Sequence, residues 1–256
     1  MLRSVFATRY VAPLREGGSL PGLVEAADDG MYVVKFRGAG QGVKVLVAEV
    51  VCAGLARALD VPTPELVAIA LPAPIARYEA DAEVQDLLNA SPGQNLGVDF
   101  LPGAFGYDGS RPPSAPEAAR ILWLDAFVAN VDRTWSNPNL LVWGDRTWAI
   151  DHGAALYVHH SWPNRPPDAA RFAAQPFDAS THVLADVAQG VGDVHERARE
   201  VLTADALAAI VDEVPQDWLE TTAQLPDAAA VRSAYVAHLR ARLDAPEAWL
   251  PYGGAR

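Results

Sequence analysis

Two motifs rich in Asp and Asn frame a predicted β-hairpin and constrain the fold of this chain more than any other feature. The first motif, NVDRTWSNPN, spans residues 130–139 and contains Asp132, Asn137 and Asn139. Two short apolar runs joined by a turn follow it, and the hairpin ends in AIDHG, which contains Asp151. Because a hairpin returns the chain to its starting point, we expect these side chains to lie close together. Carboxylate and amide oxygens favour Mg²⁺, so the segment predicts a magnesium site.

The spacing within the first motif indicates phosphoryl-transfer chemistry. Asp132 and Asn137 have the D-x-x-x-x-N spacing of a kinase catalytic loop, directly ahead of a strand. The aspartate would orient the acceptor hydroxyl, and an asparagine would hold the metal ion. Asn139 directly precedes the strand, so both asparagines are candidate ligands. The simpler interpretation is that Asp, Asn and Pro only build a turn.

Lys35 is a candidate phosphate ligand because lysine is rare in this chain. Of the 20 basic residues, only Lys35 and Lys44 are lysine. Lys35 lies in the apolar run YVVKF, and a compact ammonium suits a tight phosphate site better than the broad guanidinium fork. Glu49 lies in the next predicted helix, where it is placed to pair with Lys35. Alternatively, Lys35 is a strand-end residue that extends to solvent.

A glycine-rich turn, REGGSLPG, precedes these strands at residues 15–22. Backbone N–H groups in such a turn can approach phosphate oxygens. We therefore expect Gly17, Gly18 and Ser19 to contact the nucleotide, although a tight surface turn accounts for the sequence equally well.

The remaining patterns organise the chain into a strand-rich first part and a helix-rich second part. The first part contains apolar strand-like runs and one helical run, VKVLVAEVVCAGLARALD. A Gly/Pro-rich stretch at residues 102–116 marks a boundary. A helix, the hairpin, an irregular loop at 161–180 and further helices from about residue 193 follow. The predicted strands are residues 22–26, 31–36, 65–71 and 95–102, with 140–143 and 146–150 forming the hairpin.

Taken together, GGSLPG, YVVKF, the helix with Glu49, NVDRTWSNPNLLVW and AIDHG resemble the HipA-like kinases, which have a protein kinase-like fold. The loop and the DHG motif are also similar to those of phosphatidylinositol kinases. The resemblance implies an α+β, two-lobed kinase-like fold, with a small mixed lobe at residues 1–103 and a mainly helical lobe at 104–256. His152 stands where protein kinases carry the phenylalanine of D-F-G.

The resemblance also implies roles for individual residues, with ATP and Mg²⁺ as cofactors. Lys35 would bind phosphates and Glu49 would pair with it. Asp132 would be the catalytic aspartate, and Asn137 or Asn139 would bind Mg²⁺ together with Asp151. The hinge that contacts adenine would be formed by three consecutive residues, Asp99, Phe100 and Leu101.

The implied reaction transfers the γ-phosphate of ATP to a hydroxyl, with Ser or Thr of a protein or peptide as the expected acceptor. A small-molecule acceptor, an AMP transferase and a nucleotide-binding pseudokinase or scaffold are alternatives on the same fold. A metal hydrolase is a further alternative, suggested by His152, His159 and His160. No H-x-H or H-E-x-x-H motif accompanies these histidines.

Composition limits the partners and the compartment. The formal net charge is −12, and a strongly acidic surface repels nucleic acid and anionic membranes. The first residues lack the continuous apolar stretch of a signal peptide, and the single cysteine, Cys52, suits a reducing compartment. We therefore expect a cytoplasmic protein that binds neither nucleic acid nor membranes.

Overall fold

A computed structural model describes residues 1–15, 20–73, 75 and 79–251. The glycine-rich phosphate turn predicted at Gly17, Gly18 and Ser19 lies outside these residues. The fold is a mixture of helices and sheets, with most strands in the first hundred residues and most helices after them. Within the described residues, no helix has both the length and the apolar character needed to span a membrane.

Five strands of the first part form a closed barrel in the order β1-β2-β3-β5-β4. The barrel closes where β1 pairs with β4 in parallel, and the other neighbouring strands are antiparallel. Alternate side chains of β2 and β3 point inward, as the two-residue period of a strand requires. The five strands are β1 (Arg3–Pro13), β2 (Gly22–Ala26), β3 (Met31–Lys35), β4 (Leu66–Leu71) and β5 (Gly93–Asp99).

The first helix, α1 (Val43–Ala58), is buried along most of its length. Its apolar residues belong to the large core that also includes residues of β4 and β5 and the helices of the second part. Such burial explains why the sequence of α1 is apolar on nearly every face, including the buried Cys52. A second helix, α2 (Ala82–Asn89), follows β4. Asp81 caps its N-terminus, since its side chain accepts from the Glu83 and Val84 amides.

Up to residue 251, where the described residues end, the second part combines a small sheet with five α-helices. The sheet has the order β6-β7-β8, and its β7–β8 hairpin is the one that the sequence predicted. A capping box between Ser114 and Glu117 starts the first of these helices. The elements are β6 (Phe105–Gly106), α3 (Ala115–Val128), β7 (Leu140–Trp143), β8 (Arg146–Ala149), α4 (Ala169–Ala173), α5 (Val191–Val201), α6 (Ala204–Asp212) and α7 (Ala228–Asp244).

Four local features were not predicted from the sequence. Strand β1 and helix α2 were not predicted. His159 and His160 lie in a 3-10 turn, Tyr157–Ser161. The segment 161–180 is not irregular throughout, because it contains α4.

Candidate active site

Three charged side chains from separate elements meet at one point. Lys35 ends β3, Glu49 lies in α1, and Asp151 follows β8. The Lys35 Nζ donates to Glu49 Oε1 at 2.5 Å and to Asp151 Oδ1 at 2.6 Å. The structure therefore brings together the lysine, the glutamate and the aspartate that the sequence singled out.

This cluster is buried on one side and open on the other. The side chains of Lys35 and Glu49 are 10% and 4% exposed, whereas that of Asp151 is 47% exposed. Burial opposes ionisation of Glu49, but the Lys35 ammonium and His152 outweigh it and hold the pKa of Glu49 well below its usual range. Burial likewise opposes the charge of Lys35, and the two carboxylates raise its pKa above the ordinary value. Lys35 is therefore a fixed cation with a solvent-accessible carboxylate beside it.

A close approach between α1 and the segment after β8 holds the cluster together. A Cβ added to Gly153 would lie 2.7 Å from Val45 Cγ1, a distance that real Cβ atoms do not reach. The buried His152 places its Nδ1 3.7 Å from Glu49 Oε2. Glycine at position 153 thus lets Asp151 reach the helix that carries Glu49.

Asp132 lies in an exposed loop beside two asparagines. Asn137 Nδ2 donates to Asp132 Oδ2 at 2.8 Å, and Asn139 Nδ2 lies 3.5 Å from the same oxygen. The neighbouring Trp135 is 58% exposed and stacks on Tyr107, with ring centroids 6.1 Å apart. The loop therefore presents one carboxylate, two amides and an aromatic surface to solvent.

The hairpin pairing places the backbone of Asn139 opposite that of Ile150, the residue directly before Asp151. The Ile150 N–H donates to the Asn139 carbonyl at 3.0 Å, directly below the paired residues Leu140 and Ala149. Asn139 and Asp151 also share an uncommon backbone, with φ values of 47° and 53°. Asn and Asp tolerate this left-handed region best among residues with a Cβ, and such outliers cluster at functional sites.

The three predicted hinge residues follow β5 or end it. The Asp99 N–H donates to the Glu65 carbonyl and the Phe100 N–H to the Met31 carbonyl, so both amides are engaged within the chain. The Leu101 N–H makes no hydrogen bond within the described part of the chain. Of the three amides, that of Leu101 is thus the best placed to serve a ligand.

The candidate ligands have the chemistry that a hard divalent cation requires. Asp151 supplies an accessible carboxylate, and Asn137 and Asn139 direct their amide nitrogens at Asp132, which leaves their amide oxygens as acceptors. Among the described residues, no three His, Cys, Asp or Glu side chains are grouped so that they could hold a metal ion. An all-protein cage is thus not formed there, whereas Mg²⁺ is commonly held by one or two side chains together with phosphate oxygens.

A buried polar cluster below the loop was not predicted from the sequence. Asp125 and Arg133 have side chains with 0% exposure and form an ion pair. The available signal was Asp125 itself, a lone charge in the apolar run ILWLDAFV. A buried carboxylate requires a partner, so this position predicted a buried cation without identifying it.

A strand lysine held by a helix glutamate, facing a carboxylate at the exit of a later hairpin, is the arrangement of a kinase-type phosphotransferase. The profile of the HipA-like kinase family matches residues 8–251, and the chain belongs to this family.

One solved structure similar to this chain is that of the Helicobacter pylori proinflammatory kinase CtkA, at 11% sequence identity and a TM-score of 0.52. The match covers 94% of this chain and 99% of that one, and at this identity it shows the fold alone. Among curated protein sequences, none matches this chain.

Proposed function

We propose that the protein is an ATP-dependent kinase that transfers the γ-phosphate of ATP to a hydroxyl group. The observation that carries the proposal is the meeting of the Lys35 ammonium with Glu49 and Asp151. In this proposal residues 1–103 and 104–256 form two lobes, and the nucleotide lies between them. The roles resemble those of the kinase fold, in which a strand lysine binds phosphates and an aspartate after a hairpin binds Mg²⁺.

Each residue has a defined task in the proposed reaction. Lys35 binds the phosphates and is held by Glu49, while the Leu101 amide donates to adenine. Asp132 orients the acceptor hydroxyl and takes its proton as the hydroxyl oxygen bonds to the γ-phosphorus. The bond from the γ-phosphorus to the β–γ bridging oxygen breaks, and ADP leaves. Asp151 and Asn139 would hold Mg²⁺, which would neutralise charge on the phosphates.

The exposed surface around Asp132 supports a protein or peptide acceptor. Trp135 and Val131 are large apolar side chains, 58% and 67% exposed, on either side of Asp132 in the sequence. Exposed apolar groups at such a site favour contact with a side chain or backbone of another polypeptide. We therefore propose Ser or Thr of a polypeptide as the acceptor, with a small molecule as the alternative.

Isotope labelling tests the reaction directly. The protein is incubated with a peptide library and Mg²⁺, and with ATP labelled at either the γ- or the α-phosphate. We expect transfer of the γ-label only, and loss of that transfer in Asp151→Asn at an unchanged melting temperature. Transfer of the α-label would instead identify an AMP transferase. Binding of ATP without transfer of either label would support a pseudokinase.

A further inference from the structure

A fully buried ion pair lies beneath the loop that carries Asp132. The Arg133 Nε donates to Asp125 Oδ2 at 2.5 Å, and its Nη2 donates to Asp125 Oδ1 at 3.2 Å. Arginine is seldom buried to this degree, and a buried ion pair is often no more stabilising than a pair of apolar side chains. The contacts of Arg133 beyond Asp125 therefore bear on why the charges are present.

The remaining nitrogen of Arg133 contacts both ends of the β7–β8 hairpin. Its Nη1 donates to the carbonyl of Asn139, and also to that of Ile150 at 3.1 Å. One of these residues is the candidate amide ligand, and the other directly precedes Asp151. A single planar guanidinium thus joins the two ends of the hairpin, alongside the hydrogen bond from the Ile150 N–H to the Asn139 carbonyl.

Asp125 extends the same network to Asp132. The Asn130 Nδ2 donates to Asp125 Oδ1 at 2.8 Å, and the Asn130 Oδ1 accepts from the Asp132 N–H at 3.2 Å. Asp125 lies in α3, so the backbone of the catalytic loop is attached to a helix of the core. Through Arg133 and Asn130, the buried Asp125 carboxylate therefore supports the backbone at Asn139, Ile150 and Asp132.

His182 connects a third segment to the network. Its Nδ1 accepts from the Leu184 N–H at 3.1 Å, so the proton lies on Nε2, which donates to Asp125 Oδ2 at 3.0 Å. The Val183 N–H also donates to the Arg133 carbonyl at 3.1 Å. The end of the segment 161–184 is therefore attached directly beneath the loop.

We propose that Arg133, held by Asp125, is a positioning residue that sets the distance between Asn139 and Asp151 and so determines the affinity for the metal–nucleotide complex. The inference rests on the proposed function, because it assigns Arg133 to the metal site of that function. Arg133 does not touch the reacting groups and acts only through the backbone carbonyls of the hairpin. Lysine cannot replace it, since a single ammonium cannot hold a carboxylate in a fork and contact two carbonyls.

The test compares two buried arginines. Arg242 is also fully buried and donates to three backbone carbonyls, those of Ala126, Phe172 and Gln175, but none of them belongs to the candidate site. Arg133→Lys and Arg242→Lys are each titrated with Mg²⁺ in the presence of a fluorescent ATP analogue, and anisotropy and melting temperature are recorded. Binding of the analogue in EDTA is measured alongside.

We expect Arg133→Lys to raise the Mg²⁺ concentration for half-maximal binding about tenfold or more, the usual cost of losing a support behind a metal ligand. Binding in EDTA should change less than twofold, and Arg242→Lys should lower the melting temperature without shifting the Mg²⁺ requirement. Equal shifts in the two variants, or none in Arg133→Lys, would overturn the inference.

A double variant keeps the test decisive if Arg133→Lys does not fold. Asp125→Asn with Arg133→Gln replaces the ion pair by two neutral amides, and the amide oxygen at position 125 can still accept from Asn130 and His182. We expect a folded protein with the same raised Mg²⁺ requirement, and a wild-type requirement would overturn the inference alone. If the wild-type chain shows no Mg²⁺-dependent binding, the proposed function fails and the inference fails with it.

Discussion

Lys35 is one of two lysines in a chain that otherwise uses arginine for its positive charges. The structure gives a physical reason for the choice, because its side chain is 10% exposed and its Nζ lies between two carboxylates. A compact ammonium fits between Glu49 and Asp151, whereas a guanidinium extends further and fixes its donors in a plane. Lys44 is also partly enclosed and pairs with Glu220. Lys35 thus lies where a slender side chain is needed.

Replacing Lys35 by arginine should therefore fail despite the retained charge. We expect Lys35→Arg to lower phosphoryl transfer about a hundredfold, the scale seen when one preorganised electrostatic contact is lost. Steady-state kinetics with γ-labelled ATP provides the measurement, and Lys44→Arg is the matched control, with a change of less than about threefold expected. Normal turnover in Lys35→Arg would show that the lysine does not bind phosphate.

Alanine variants can distinguish which of the two candidate amide ligands, Asn137 or Asn139, binds the metal. The contact of Asn139 with the Ile150 N–H places it next to Asp151, whereas Asn137 contacts only Asp132 among these side chains. We expect Asn139→Ala to raise the Mg²⁺ requirement for nucleotide binding about tenfold or more, and Asn137→Ala to change it much less. The reverse order would assign the metal to Asn137.

At the scale of elements, the approach of α1 to the segment after β8 decides whether the site forms. Gly153→Ala would place a methyl group 2.7 Å from Val45 Cγ1, so helix and segment must separate. We expect about 1–3 kcal/mol of destabilisation, the usual cost of overpacking, together with weaker nucleotide binding. Val45→Ala removes the clashing methyl groups, and the double variant should recover binding. Failure of the double variant to recover would show that Gly153 acts through some other contact.

Sequence patterns predicted the elements that carry chemistry better than those that only complete the barrel. The β7–β8 hairpin was predicted from two apolar runs joined by a turn, and α1 from one long apolar run. Strand β1 was not, since only two of its eleven residues, Val5 and Ala7, are buried and its pairing with β2 contains two register shifts. A half-exposed strand with irregular register leaves little alternation to detect.

The candidate site could be predicted from the sequence because its motifs are local. The buried network that supports it could not be predicted. Lys35, Glu49 and Asp151 each belong to a short motif with a known chemical use. Asp125, Arg133 and His182 come from three separate segments, and a buried arginine looks like a surface residue in the sequence. Only the fold determines which cation meets a buried carboxylate.

At the scale of the whole molecule, buried histidines make stability depend on mildly acidic pH. His159, His195 and His238 are each buried, which lowers their pKa below the ordinary 6.5. As the pH falls below about 6.5, the unfolded chain therefore binds protons before the folded chain does, and stability decreases. Above that pH the imidazoles are neutral in both states, and their contribution to stability is fully present.

Denaturant titrations between pH 7.5 and 5.5 measure this effect. The free energy of unfolding should fall over the interval by up to about 1.4 kcal/mol per pH unit for each histidine that stays neutral. His159→Gln retains a hydrogen-bonding group for the Tyr235 hydroxyl and should flatten the slope. The acidic surface, with a net charge of −12, loses repulsion as the pH falls, so general charge effects predict the opposite sign. A free energy that is constant or rises toward pH 5.5 would contradict the prediction.

The parallel pairing of β1 with β4 also bears on how the chain is made. β1 and β2 are neighbours in the sequence and pair with each other, but Arg3 lies opposite Val67, which is synthesised much later. Until then one edge of β1 carries open backbone groups, which can pair with a strand of another chain. Delayed synthesis before β4 therefore exposes the nascent protein to association, and completion of the barrel ends that exposure.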